Sequence, residues 1–500
     1  MRHPHDTATG ETNSVTIRRI PLAVICALLL LTSLLSACST GDDDDNTTSA
    51  SPTAAVVEAT AAPDEAEDAD PTATEEEADS TATEAETEPT EEPAASPTAT
   101  EEADDATPTE TDTDTGGGDA ATEAELAEVI EDTVEVRGLE TLQEVEAQII
   151  SREQLGENLL ESLDEDYPAE DAIEDVKVLW LLRLLDDPEL DLHQLYVDLY
   201  SEAVLGYYDP AVDELFLVSN EEGLSGLTEL TMSHELVHAL QDQHYDLEAF
   251  RPEDLDADQA TAVTALIEGD AESASTQYAI NYMEPGEISE AVAESGDISS
   301  DVVNSAPVYI REGLYFPYVQ GSAFVGQLIA DGGFERVDAA YADPPTSTEQ
   351  ILHPEKYLGE RDDPQAVTLP DLTGALSGWT TERDDTLGEW DLEIMLHESG
   401  AEESGEAAAG WGGGQWAFYE SDSGDDTLVI MSTMWDTEAD AEEFDTALRG
   451  ALDSAGAAQD GIWDDGSGRF TAFVAGADGT LTYIASTDRA AVENALTALP

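Results

Sequence analysis

Apolar positions change their spacing several times along this chain of 500 residues. They run almost unbroken from Ile20 to Leu35, and large apolar side chains then nearly vanish from Ser39 to about Thr122. From Glu123 to Leu199 they return at helical intervals, as in Val176, Leu179, Trp180, Leu182 and Leu185, which predicts several packed helices. Between Val204 and Val218 the period shortens. Leu205 and Tyr207 precede Asp209-Pro210, and Leu215-Phe216-Leu217-Val218 follows, the pattern of a hairpin. Helical spacing resumes from Leu227 through Leu240.

Past Gly359 the pattern reads αββαββα. Helices are expected near 387–396, 439–452 and 489–499, with strands near 415–420, 428–434, 470–475 and 481–486. Gly410-Trp411-Gly412-Gly413-Gly414-Gln415-Trp416 lacks the lysine and Ser/Thr of a phosphate loop and is expected as a tight turn with an aromatic rim. The fold class is therefore α+β. A mainly helical domain with a small sheet covers 123–358, and a smaller α+β layer domain covers 359–500.

The N-terminal quarter changes the picture of where the protein works. Arg18-Arg19 followed by a short apolar run reads as a signal peptide, too short for a stable span. Leu35-Ser36-Ala37-Cys38 resembles the bacterial lipobox, which implies cleavage after residue 37 and a lipid on Cys38. Loss of Cys26 with the signal would leave one cysteine and no intramolecular disulfide. Residues 38–122, rich in Thr, Pro, Ala, Asp and Glu, cannot bury enough surface to offset ordering entropy, and are expected as a disordered tether of about 50 Å or more. The location implied is extracytoplasmic, anchored to the cell membrane through Cys38.

Charge narrows the partners. The net charge is −99, with 115 acidic residues against 16 basic ones, and lysine occurs only at Lys177 and Lys356. Nucleic-acid binding is excluded for want of any basic stripe, and an electrostatic hold on anionic lipid is disfavoured. Acid enrichment with lysine depletion is the composition of a halophilic or salt-tolerant protein, whose self-repulsion is screened in high salt.

The candidate chemistry lies in Thr231-Met232-Ser233-His234-Glu235-Leu236-Val237-His238-Ala239-Leu240. This is an HExxH pattern, with two imidazoles one helical turn apart and a carboxylate beside the first, as in zinc peptidases. Such a site needs a third protein ligand and a position left for water. His244 stands at the spacing of the metzincin pattern HExxHxxGxxH, but Gln241 replaces its glycine. On a continuous helix His244 would point away, so it is the alternative ligand only. Tyr282-Met283-Glu284-Pro285 is a weak Met-turn look-alike.

Ala262 to Ser273, with Glu268 and Glu272 on one helical face, resembles the second zinc-binding helix of gluzincins. That resemblance implies Glu268 as third ligand and Glu272 as acceptor for the distal N–H of His234. Tyr315-Phe316-Pro317-Tyr318-Val319-Gln320-Gly321-Ser322 resembles the YxxG(A/S) helix of gluzincins such as the aminopeptidase N family, which implies Tyr318 as the donor to the oxyanion. In zincins a strand before the HExxH helix commonly pairs with substrate, and Leu215 to Val218 is the candidate edge, the alternative being a buried strand. Pro344 to Tyr357 is expected as an ordered loop, with His353 a second-choice donor.

The stretch from about Val136 to Tyr357 resembles an uncharacterised family of bacterial lipoprotein-type metallopeptidases. The resemblance is carried by Gly206-Tyr207-Tyr208-Asp209-Pro210, by His234 to Leu247, by Glu268-Gly269-Asp270-Ala271-Glu272, and by Pro344 to Tyr357. The expectation is a gluzincin-like enzyme hydrolysing peptide bonds in a peptide or protein substrate, with Zn2+ on His234, His238 and Glu268 and with Glu235 as general base. The competing class is a non-catalytic surface binding module on a degenerate zincin fold.

Overall fold

A computed structural model describes residues 120–500 apart from 211, 219–223, 251, 253–254 and 299–300. The signal segment, Cys38 and the tether as far as residue 119 lie outside the described residues, and Ala120 to Thr122, expected as the end of the tether, instead begin a helix. The fold is α+β, as the pattern predicts: helices dominate the first part, and a seven-stranded sheet forms the second.

Helices at Ala120–Arg137, Arg152–Asp166, Ala169–Leu181 and Leu192–Ala203 occupy the stretch read as helical. That stretch also contains a strand that periodicity missed, β1 (Glu146–Ile150). Its burial does not alternate, so nothing local marks it. The hairpin is present as β2 (Gly206–Asp209) and β3 (Glu214–Val218), paired antiparallel with Tyr208 opposite Leu215. β1 adds to β3 in parallel, giving the order β1-β3-β2. Leu215 to Val218, the candidate edge with a buried strand as its alternative, is thus the central strand, which is that alternative. β2 is the edge that turns toward the HExxH helix.

That helix spans Gly226–Tyr245 without a break, started by Ser225, whose hydroxyl accepts from Thr228 N–H. It ends at Asp246 in the left-handed conformation, φ 58°. The glutamate helix, Ala257–Tyr282, is capped by Asp256. The tyrosine helix, Val308–Gly332, contains Pro317, which has no N–H to give the Gly313 carbonyl one turn back. Glutamate and tyrosine helices cross where Gly269 meets Gly321. A Cβ on either glycine would collide with the backbone of the other helix, so only hydrogen permits this approach. Pro344 to Tyr357, expected as a loop, instead holds two single-turn helices, Thr348–Leu352 and Pro354–Leu358. Thr348 donates from N–H and Oγ1 to Asp258 Oδ1, tying this segment to the start of the glutamate helix.

The second part is one antiparallel sheet of β4 (Trp379–Asp385), β5 (Trp411–Ser421), β6 (Thr427–Trp435), β7 (Ala457–Gln459), β8 (Ile462–Asp464), β9 (Phe470–Ala475) and β10 (Leu481–Ser486). Its order is β4-β5-β6-β10-β9-β8-β7. The expected elements are all present, together with β4, β7 and β8, which are short or strongly polar. The glycine-rich run is not a turn with an aromatic rim: it enters β5, and Trp411 and Trp416 are fully buried.

Both faces of the sheet are covered, which explains strands with little alternation. Val429, Met431, Phe473 and Tyr483 join a core with Trp180 and Leu181, while Leu428, Ile430, Ala472 and Ile484 pack with Val492 of the last helix, Arg489–Leu496. Polar contacts reinforce the first face. Tyr483 donates to the Leu181 carbonyl at 2.7 Å, and Arg383 pairs with buried Asp175 at 2.6 Å. The helical part and the sheet therefore share one apolar core.

Candidate metal centre

Helical periodicity puts His234 and His238 on the same side of their helix. The tertiary fold supplies Glu268 from the crossing helix. His234 Nε2 lies 3.1 Å from His238 Nε2, and Glu268 Oε2 lies 3.3 Å from each. All three residues are buried, as are Glu235 and Glu272. Two ring nitrogens and a carboxylate oxygen this close could hold a metal ion. Four-coordinate zinc with bonds of about 2.0–2.1 Å separates its ligand atoms by about 3.3–3.4 Å, so the observed triangle fits that ion.

The electrostatics agree. Burial disfavours charge on all three groups. The imidazoles more than reverse this for Glu268, holding its carboxyl far below the usual range, and Glu268 pushes His238 up to about 9. Burial keeps His234 below its ordinary value. Without a metal, the proton on His238 is the cation that balances the carboxylate.

Glu235 is not part of the triangle. Its Oε2 accepts from Tyr208 N–H at 3.0 Å, while its buried Oε1 has no hydrogen-bond partner among the described residues. Desolvation pushes its carboxyl up to about 8. The edge strand β2 thus holds one oxygen of this carboxylate and leaves the other for a further group. Tyr318 lies on the tyrosine helix with its ring stacked near His234, centroids 6.1 Å apart.

Other expectations fare differently. Glu272 does face His234, but its Oε2 is 3.8 Å from Nδ1, an ion-pair distance rather than a hydrogen bond. His244, on the unbroken helix, reaches the Glu140 carbonyl at 2.8 Å and does not join the group. Tyr282 ends the glutamate helix with Met283 as its C-cap, and Met283 belongs to the same core cluster as Leu236 and Ala239. His353 pairs with Glu389 at 2.7 Å. A second acidic group, Glu349, Asp362 and Asp436, already surrounds the Lys356 ammonium, at 2.5, 3.2 and 2.5 Å.

Three contributors escaped the sequence reading. Gln241, noticed only as the residue in place of a glycine, bonds through Oε1 to His238 Nδ1 at 2.8 Å. Its Nε2 donates to Asp270 Oδ2 and to the Ile267 carbonyl, both at 3.0 Å. Asp270 is paired with Arg137 Nε at 2.7 Å, and both side chains are fully buried. The signal for Gln241 was its spacing, three residues after His238 on the same helical face.

Residues 376–496 match a family model described as Domain of unknown function (DUF8575). No curated protein and no solved structure matches the chain. The match covers the sheet-forming part and not the HExxH helix.

Proposed function

We propose that this chain is a zinc-dependent peptidase of gluzincin type, held at the outer face of the cell membrane by a lipid on Cys38. The observation that carries the reading is the convergence of His234 Nε2, His238 Nε2 and Glu268 Oε2 at 3.1–3.3 Å, with Glu235 Oε1, which has no partner among the described residues, in the same buried region. A bound zinc would polarise the scissile carbonyl and make its water more acidic. Glu235 takes the water proton at Oε1 and delivers it to the leaving amine, while Tyr208 N–H keeps the carboxylate from rotating. Tyr318 is the side chain assigned to donate to the oxyanion, on the strength of its position beside His234.

Complete burial of the site favours a second reading, a metal that stabilises a non-catalytic module. Three protein ligands rather than four among the described residues speak against it, since structural zinc sites are closed by protein. The deciding experiment compares the full chain with Glu235→Gln in high salt, measuring zinc content and cleavage of a mixed peptide library. Zinc in both with cleavage by the parent alone supports the peptidase. Zinc in both with cleavage by neither selects the module, and zinc in neither ends both readings.

A further inference from the structure

The amide of Gln241 can be oriented in only one way. Turned over, it would set its oxygen against the Ile267 carbonyl and the Asp270 carboxylate, and its NH2 group against His238 Nδ1. Three acceptor atoms cannot satisfy one another, so Nε2 faces the two oxygens and Oε1 faces the ring. An amide oxygen only accepts, which makes His238 Nδ1 the donor. With Nδ1 held as the donor, the proton that leaves when a cation binds is the one on Nε2, and the ring would then offer its Nε2 lone pair to that cation.

What holds Gln241 lies further out. Asp270 Oδ2 accepts from Gln241 Nε2, from Tyr341 Oη at 2.9 Å and from Arg137 Nη2 at 3.1 Å. Arg137 also bonds Asp338 Oδ1 at 2.7 Å, and Tyr245 Oη reaches that same oxygen at 2.8 Å. The guanidinium is packed under the Phe334 ring at 4.9 Å. Arg137, Gln241 and Asp270 are buried, and Arg137 comes from a helix roughly a hundred residues before the site.

We propose that Gln241, anchored by Asp270 and Arg137, is the positioning residue that keeps the proton of His238 on Nδ1 and thereby sets the affinity of the His234, His238 and Glu268 group for a divalent cation. The inference rests on the metal reading above but not on peptidase activity. Groups of this kind outside the ligand set alter metal affinity by about 10- to 100-fold.

The test uses the full chain and Zn2+ alone as probe. Zinc affinity, by chelator competition, is compared for the parent, Gln241→Met and Gln241→Glu, and the ring protons of His238 are observed by 1H–15N correlation in the zinc-loaded parent. Methionine has similar volume but only a weakly accepting thioether, and zinc should bind that variant about 10- to 100-fold more weakly. Glutamate restores the acceptor while repelling Asp270, so its zinc affinity should return to within a few-fold of the parent although the fold is less stable. A merely structural role predicts the reverse, with Glu worse than Met.

If Gln241→Met does not fold, the loaded parent still decides. Zinc on Nε2 with a proton on Nδ1 of His238 upholds the proposal, and coordination through Nδ1 overturns it. Equal zinc affinity in parent and Gln241→Met overturns it too. A chain that binds zinc with this signature yet cleaves no peptide removes the peptidase reading and leaves this one in place, whereas a parent that binds no zinc removes both.

Discussion

Gly269 and Gly321 touch backbone to backbone where the glutamate and tyrosine helices cross. Gly269 follows Glu268, and Gly321 follows Tyr318 by three residues, so this one crossing brings both side chains to His234. The YxxG spacing thus has a packing reason in this chain: the glycine admits the helix that bears the carboxylate.

Gly321→Ala should therefore destabilise the protein despite alanine's better helix propensity. The added methyl meets the Ala265 carbonyl, a backbone atom that cannot rotate away. Overpacking of about 1–3 kcal/mol outweighs a propensity gain of about 0.5–1 kcal/mol. Zinc affinity should fall as well, because the crossing sets the reach of Glu268. Urea unfolding that shows a more stable variant would sink the argument.

Glu235→Gln should bind zinc as tightly as the parent, since Glu235 lies outside the triangle of donor atoms. Its peptide cleavage should drop by about 100- to 10,000-fold, the usual contribution of a general base. Single-turnover rates on any peptide the parent cleaves would measure this, and a variant retaining most of the parent rate would remove Glu235 from the chemistry.

Arg137→Met should cost about 3–5 kcal/mol, because it leaves the Asp270 carboxylate buried beside Gln241 and Tyr341 without its cation. Chemical denaturation reads the loss directly. A change below about 1 kcal/mol would mean that the pair is dispensable.

The His353–Glu389 contact gives a pH dependence with a definite sign. The hydrogen bond to Glu389 raises His353 above its ordinary 6.5, against the opposing effect of burial. The folded chain therefore holds this proton more tightly than the unfolded chain. Stability from the pair is complete below about pH 6.5 and is lost as pH rises through the elevated value. Melting curves of the parent and His353→Gln should differ most in mild acid and converge above neutrality; a gap that widens with pH would contradict the assignment.

A net charge of −99 predicts a melting temperature that rises with NaCl. Between about 0.1 and about 1 M salt the screening length falls from about 10 Å to about 3 Å, which removes most repulsion between exposed carboxylates. Buried pairs such as Arg137–Asp270 and Arg383–Asp175 are screened much less. Salt-independent or salt-weakened melting would argue against a fold adapted to screened conditions.

Local spacing made much of this protein legible in the linear chain. An α-helix returns to the same face after four residues, so HExxH sets His234 beside His238 wherever the helix packs. The same periodicity, with Gln241 in place of a glycine, kept the helix straight and sent His244 away from the site. Strands at 470–475 and 481–486 were equally plain, because runs of apolar and β-branched residues bounded by glycine and aspartate encode them locally. Other features depend on partners far away in the chain. β1 is a strand only because β3 lies beside it, β2 rather than β3 is the edge, and Trp411 and Trp416 are core because a helical layer covers their sheet. His238 owes its orientation to Gln241, and Gln241 owes its own to Asp270 and to Arg137. Covalent connectivity determines which residues share a helical face, but packing decides which faces meet, and no local period records that choice.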